Sequence, residues 1–356
     1  MTSPCKASGI FPLLAILLLV SGCISPDVSP GTAAPEGNPA PADLIEQIRN
    51  EYPAPGDLYD VDGARMHLRC MGNGTPTVIM EAGSGDCSLS WILVQQNVSP
   101  FTRVCTYDRA GYGWSDPLPG PVTARNVTGR LHTLLSQADI PAPYVLAGHS
   151  LGGIYVRSYA HRYPGEVAGL VLVDPGSEWQ AARTGEDFTR EMQGAISTKT
   201  ALLRAMGREA SQGTFARNLT LVEPYCNKKL PPWEYRAYRA LWATEPWFWD
   251  SCAVEGESAF AIWDEVAREN ITSVGAIPLV VISSGKDMGF SADPEKNAHA
   301  LAVFRTLQEE MAAGSSQGRY LVAADSSHYV QLDQPDLVTQ SIRQVVMDVR
   351  NSTGSR

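Results

Sequence analysis

The chain has 356 residues, 44% of them hydrophobic and 19% charged, and a formal charge of −10. That length suits one large domain or a core carrying a sizeable insertion, and the composition is that of a globular protein. The acidic balance argues against a nucleic-acid partner, which needs clustered lysine and arginine; the longest basic piece is Asn227-Lys228-Lys229.

In chain order, residues 1–22 read as an export signal. Lys6 supplies a positive start, and Ile10 to Val20 form an apolar run of about 11 residues broken by Pro12. A bilayer-spanning helix needs roughly 20. The run ends in Leu19-Val20-Ser21-Gly22-Cys23, which resembles the lipobox of prokaryotic lipoproteins. The resemblance implies cleavage before Cys23 and lipidation of its thiol, giving a membrane-anchored protein on the extracytoplasmic face. With an ordinary export signal the protein would instead be secreted. Residues 23–42 carry Pro26, Pro30, Pro35, Pro39 and Pro41 among small polar residues, and read as a tether. An oxidising compartment permits disulfides among Cys70, Cys87, Cys105, Cys226 and Cys252, with Cys226 and Cys252 offered as a pair. No Cys or His spacing suits a metal, and no cofactor is implied.

From about residue 58 the pattern becomes regular. Leu58–Val61 and Arg65–Cys70 flank Asp62-Gly63, a two-residue hairpin signal. Short apolar runs at Thr77–Met80, Thr102–Tyr107, Tyr144–Ala147, Ala168–Val173, Pro278–Ile282 and Tyr320–Ala323 read as strands. Helical spacing at Thr123–Gln137, after Ser150, at Pro294–Ala312 and at Pro335–Val349 alternates with them. Strands alternating with helices predict a mostly parallel sheet covered on both faces. Residues 177–275 interrupt the pattern with about 100 residues of little strand character and six of the eight tryptophans. They read as a helical cap inserted between the sixth and seventh strands, leaving 43–176 and 276–356 as the core. Some tryptophans must form the cap's own core, and two or three are expected to line an apolar pocket above Ser150.

Gly148-His149-Ser150-Leu151-Gly152 fits G-x-S-x-G, lying between a strand and a helix as that motif requires. A serine on so sharp a turn is strained, and side chains two residues either side would collide. Serine needs a base, and of six histidines only His328 lies in a polar loop after the last strand, downstream of the serine. His67, His132, His149, His161 and His299 fall in strand, helix or elbow positions and read as structural.

Thr106-Tyr107-Asp108-Arg109-Ala110-Gly111-Tyr112-Gly113-Trp114-Ser115 is similar to the Y-D-x-x-G-x-G-x-S segment of α/β-hydrolase family members. Ser327-His328 through Gln334-Pro335 is similar to that family's histidine loop. The resemblance covers nearly all of the chain from Leu58 on. It implies an α/β-hydrolase fold with an eight-stranded sheet, and a serine hydrolase with Ser150 as nucleophile and His328 as base. The oxyanion would be held by the amide of Leu151 and, by the family pattern, of Ser84 in the loop Glu81-Ala82-Gly83-Ser84-Gly85, which replaces the usual His-Gly. Asp287, after the strand Pro278–Ile282, stands where the family most often places the acid; Asp174, at the end of Leu170–Val173, is the alternative. Asp108 is expected to order its own glycine-rich loop. The expected substrate is a small-molecule carboxylic ester, cleaved through an acyl-enzyme. The same triad on an amide, a carbon–carbon bond or a peracid is the alternative, as is a non-catalytic binding protein on this scaffold.

Overall fold

The computed structural model describes residues 40–354. Cys23, the export signal and nearly all of the expected tether lie outside them. The described chain opens with a helix, α1 (Pro41–Glu51), where the sequence reading had the tether end at residue 42 and the core begin. Pro41 takes the first helical position, where a missing N–H costs nothing. Ile48 then packs on Ala216 and Ala240 of the insertion, which holds α1 in place.

Strands β1 (Asp57–Val61) and β2 (Ala64–Met71) form the hairpin around Asp62 and Gly63. Both turn residues have positive φ, 55° and 85°, which matches the twist of the two strands. Next come β3 (Thr77–Glu81), α2 (Ile92–Val98), β4 (Val104–Tyr107), α3 (Ala124–Gln137), β5 (Tyr144–His149), α4 (Leu151–Arg162) and β6 (Val167–Val173). The eight-stranded sheet is completed by β7 (Leu279–Ser284) and β8 (Gly318–Ala323), in the order β1-β2-β4-β3-β5-β6-β7-β8. Only the β1–β2 and β2–β4 pairings are antiparallel. Strands β3, β4, β5 and β7 are buried along their whole length, as strands covered on both faces must be, which is why they read as continuous apolar runs.

Between β6 and β7 the chain leaves the sheet to form α5 (Gln180–Thr184), α6 (Glu186–Ser211), α7 (Thr214–Arg217), α8 (Pro232–Thr244) and α9 (Pro246–Glu269). After β7 follow α10 (Pro294–Ala313), α11 (Val330–Asp333) and α12 (Pro335–Gly354). One face of the sheet packs on Leu131, Leu134 and Leu135 of α3 with Val156 and Tyr159 of α4. The other packs on Val94 and Val98 of α2 with Val338, Ile342, Val345 and Val346 of α12. The excursion packs Tyr238, Trp242, Phe248 and Trp249 into a core shared with Leu89, Ile92 and Tyr112 of the sheet domain, where Trp242 stacks on Phe248 at 4.4 Å.

Cysteine pairing differs from the expectation. Cys70 and Cys105 face each other across β2 and β4 and form a disulfide. Cys226 and Cys252 are both buried free thiols. Cys252 faces Gly85 of the core, whose Cβ position would lie 3.7 Å from the sulfur, while Cys226 points back at the carbonyl of Val222.

Candidate active site

Strand β5 ends at His149, and the backbone reverses at Ser150 into α4 with φ 53° and ψ −120°. A non-glycine residue held there costs about 1–3 kcal/mol, so the surroundings must enforce it. They do so by leaving no room on either side. A Cβ at Gly148 would lie 2.5 Å from the carbonyl oxygen of Gly152, and one at Gly152 would lie 2.6 Å from that of Ala82. The carbonyl of Ser150 accepts from the amides of Gly153 and Gly176, which pins the turn. Leu151 is the first residue of α4, so its N–H has no partner within the helix.

His328 sits in the loop between β8 and α11, and two hydrogen bonds set its orientation. Its Nε2 is 2.9 Å from Ser150 Oγ, and its Nδ1 is 2.7 Å from Asp174 Oδ2. A carboxylate can only accept, so Nδ1 carries the hydrogen and Nε2 is free to accept from the serine hydroxyl. Asp174 closes β6 with φ 43°, which turns its carboxylate under the imidazole. Its other oxygen accepts from Ser284 N at 2.9 Å and Gln308 Nε2 at 3.1 Å. Complete burial alone would raise the Asp174 pKa. The hydrogen bond and charge of His328, with the two further donors, outweigh it and hold the carboxyl below its ordinary value.

Asp287 does not meet His328. It lies exposed beyond β7, where its carboxylate accepts from Gly289 N at 2.8 Å and Asn297 Nδ2 at 2.8 and 3.0 Å. The loop after β7 is tied first to the β8 side, with Gly285 N on Ala323 O and Lys286 N on Ser326 O. With only Lys286 between Gly285 and Asp287, the carboxylate emerges on the outer side.

His149, read from sequence as a structural residue of the elbow, is buried and holds the histidine loop. Its Nε2 donates to the carbonyl oxygen of His328 at 2.9 Å, and its ring packs against Tyr329. Burial first, and then the neighbouring His328, drive its pKa down to about 3, so the ring is neutral at any working pH. Gly83 lies against this pair; a Cβ there would be 2.8 Å from His149 Nδ1 and 3.2 Å from Ser150 Cβ. Asp108 accepts from Trp114 N inside its own glycine-rich segment, and ties that segment to Ser88 N and His67 Nδ1 outside it.

Ser84, Ser150, Leu151 and His328 border one cavity of about 90 Å³. Its walls are Phe188, Met192 and Ile196 of α6, Ala259 and Trp263 of α9, and Phe290 and Phe304 of the core. Of the six tryptophans in the insertion only Trp263 reaches this cavity. Trp242 and Trp249 fill the core between the insertion and the sheet domain, Trp233 stacks near Trp114, Trp247 lies under Arg49 and Trp179 is exposed. Gln308 and the aromatic pair Phe290 and Phe304 carry no motif in the sequence; only the folding of β7 and α10 brings them here.

Residues 78–340 match the model of the alpha/beta hydrolase family, and the chain belongs to that family. It is 36% identical over 167 residues to an uncharacterized protein of Schizosaccharomyces pombe, covering 38% of this chain and 31% of that one, so the likeness concerns only part of a longer protein. It is 24% identical to the uncharacterized protein YqjL of Bacillus subtilis, over 81% of this chain and 90% of that one. Among solved structures, a thermophilic esterase from Thermogutta terrifontis superposes with a TM-score of 0.52 at 21% identity, over 82% of this chain and 98% of that one. That likeness shows the fold.

Proposed function

We propose that this protein is a serine hydrolase acting on small carboxylic esters with an apolar acyl group. The observation that supports this most strongly is the line Ser150–His328–Asp174, with bonds of 2.9 and 2.7 Å, ending at an apolar cavity. In this reading Ser150 Oγ attacks the acyl carbonyl while its proton passes to His328 Nε2. Asp174, held ionised, keeps the Nδ1 hydrogen in place and stabilises the imidazolium that forms. The amides of Leu151 and Ser84 hold the oxyanion, and each such donor is worth roughly 3–4 kcal/mol. The imidazolium then protonates the leaving alcohol, and water enters by the reverse route to free the acid. The acyl chain lies among Met192, Ile196 and Phe304. The chemistry draws on no metal or organic cofactor.

We also place the protein outside the cytoplasm, tethered at Cys23. The Cys70–Cys105 disulfide favours an oxidising compartment. Cys23→Ser should release the protein from membranes, as fractionation would show.

The decisive test titrates the purified protein with p-nitrophenyl esters of increasing acyl length, beside Ser150→Ala and His328→Ala, and with a fluorophosphonate probe. Turnover and labelling lost in Ser150→Ala support the reading. Turnover surviving that change rejects it.

A further inference from the structure

The loop expected to supply the second oxyanion donor has no secondary structure of its own, and a buried charge cluster holds it. Arg109, 5% exposed, donates from Nη1 to Glu81 Oε1 at 2.7 Å and to the carbonyl of Ala82 at 2.8 Å. Its Nη2 donates to the carbonyl of Gly83 at 2.8 Å and reaches Glu255 at 3.1 Å. Glu255, 1% exposed, comes from α9 in the cap; it accepts from the amide of Gly85 at 3.1 Å and from the Tyr155 hydroxyl at 3.3 Å. The backbone from Ala82 to Gly85 is thus gripped at three points by one cation and one cap carboxylate.

The geometry points to Arg109 and Glu255 as positioning residues for the oxyanion donor at Ser84, so that the cap completes the oxyanion site; this rests on the hydrolase reading above. In a trans peptide the C=O and N–H point in opposite directions. Arg109 draws the Gly83 carbonyl into the charge cluster, so the N–H of the same peptide unit, that of Ser84, faces the other way, on the cavity side with Ser150. A charged donor on the carbonyl also polarises that peptide and makes its N–H a stronger donor. Gly83 must remain glycine, because His149 and Ser150 leave no space for a Cβ. Glu255 fixes the amide after that of Ser84, Gly85 N, and balances the buried guanidinium. A cap that lifted away would take Glu255 from Gly85 and loosen the donor, coupling cap closure to catalytic competence.

The test compares Arg109→Lys, Glu255→Ala and Glu255→Gln with wild type in the full-length protein. Lysine keeps the charge but cannot grip two carbonyls and two carboxylates at once. Glutamine keeps an acceptor for Gly85. The readouts are kcat and KM on p-nitrophenyl butyrate and the inhibition constant of an alkyl boronic acid, which occupies the oxyanion site as a tetrahedral adduct. Arg109→Lys and Glu255→Ala should lower kcat by about 10–100-fold, leave KM within about threefold and weaken boronate inhibition by a factor similar to the kcat loss. Glu255→Gln should recover most of that loss. Folded Arg109→Lys with wild-type kcat, or a kcat loss with boronate affinity unchanged, overturns the inference. Should Arg109→Lys not fold, the Glu255 pair decides by the same readouts. Wild-type protein that neither turns over the ester nor takes a fluorophosphonate at Ser150 overturns the hydrolase reading, and this inference with it.

Discussion

Two aspartates show how differently the same side chain can be used. Asp174 is wholly buried, accepts three hydrogen bonds and is ionised because His328 stands against it. Asp174→Asn should therefore leave the geometry nearly intact but hold His328 in the wrong tautomer, lowering kcat by about 10⁴-fold. Asp287→Asn should change kcat less than about twofold, and a larger loss than in Asp174→Asn would return the acid to Asp287. Asp86 is the opposite case. It is 4% exposed, with one oxygen receiving Cys87 N and the Tyr238 hydroxyl and the other without a partner. Burial pushes its pKa up to about 6 against those hydrogen bonds. A carboxyl with a raised folded pKa binds its proton more tightly when folded, so its contribution to stability falls as pH rises from about 4 to 6. Asp86→Asn should match wild type near pH 4 and exceed it by about 3 kcal/mol above pH 6.5. Urea midpoints across that range would check this, and a gap independent of pH would refute it.

At the scale of elements, the site is built where β5, β6 and β8 end on the same edge of the sheet. Each of those strands releases one of the candidate residues in the segment that follows it: Ser150, Asp174 and His328. Parallel pairing of β5 with β6 brings His149 opposite Val173, so the next residues on each strand, Ser150 and Asp174, emerge side by side. The apolar wall of the cavity beside Ser150 is contributed largely by α6, whose buried face presents Phe188, Met192 and Ile196 at helical spacing. Ile196→Ala should enlarge the cavity and move the preference toward longer acyl chains, shifting the ratio of kcat/KM for octanoate over butyrate by roughly tenfold. An unchanged ratio would place the acyl chain elsewhere.

Across the whole molecule, charge pairs bind the cap to the rest: Arg109 to Glu255, and Arg49 of α1 to Glu245 at 2.7 Å. The Cys70–Cys105 disulfide closes a loop of 35 residues at the sheet's antiparallel end, away from Ser150. Closing a loop of that size restricts the unfolded chain, and Cys70→Ala/Cys105→Ala should cost about 3–4 kcal/mol while sparing kcat. Urea unfolding with and without reductant would measure it, and coincident curves would show that the bond contributes nothing.

What the sequence determined by itself was local. The hairpin at Asp62-Gly63, the buried strands and the elbow glycines are all readable because each depends on neighbours in the chain, through twist, two-sided burial or a clash two residues away. The candidate pair Ser150 and His328, which lie 2.9 Å apart, stood out for the same reason: each sits in a short segment whose residue types its own loop demands. Tertiary structure alone decided what lies at long sequence distance. That Asp174 meets His328 while Asp287 binds Asn297 depends on how the chain turns after β6 and after β7. Pairing Cys70 with Cys105, leaving Cys226 and Cys252 free, sending one cap tryptophan to the cavity and bringing Glu255 to Gly85 were likewise fixed by packing. Residues that meet across 35 to 170 positions leave no periodic trace in the chain, because the contact is made by the sheet register and the seating of the cap.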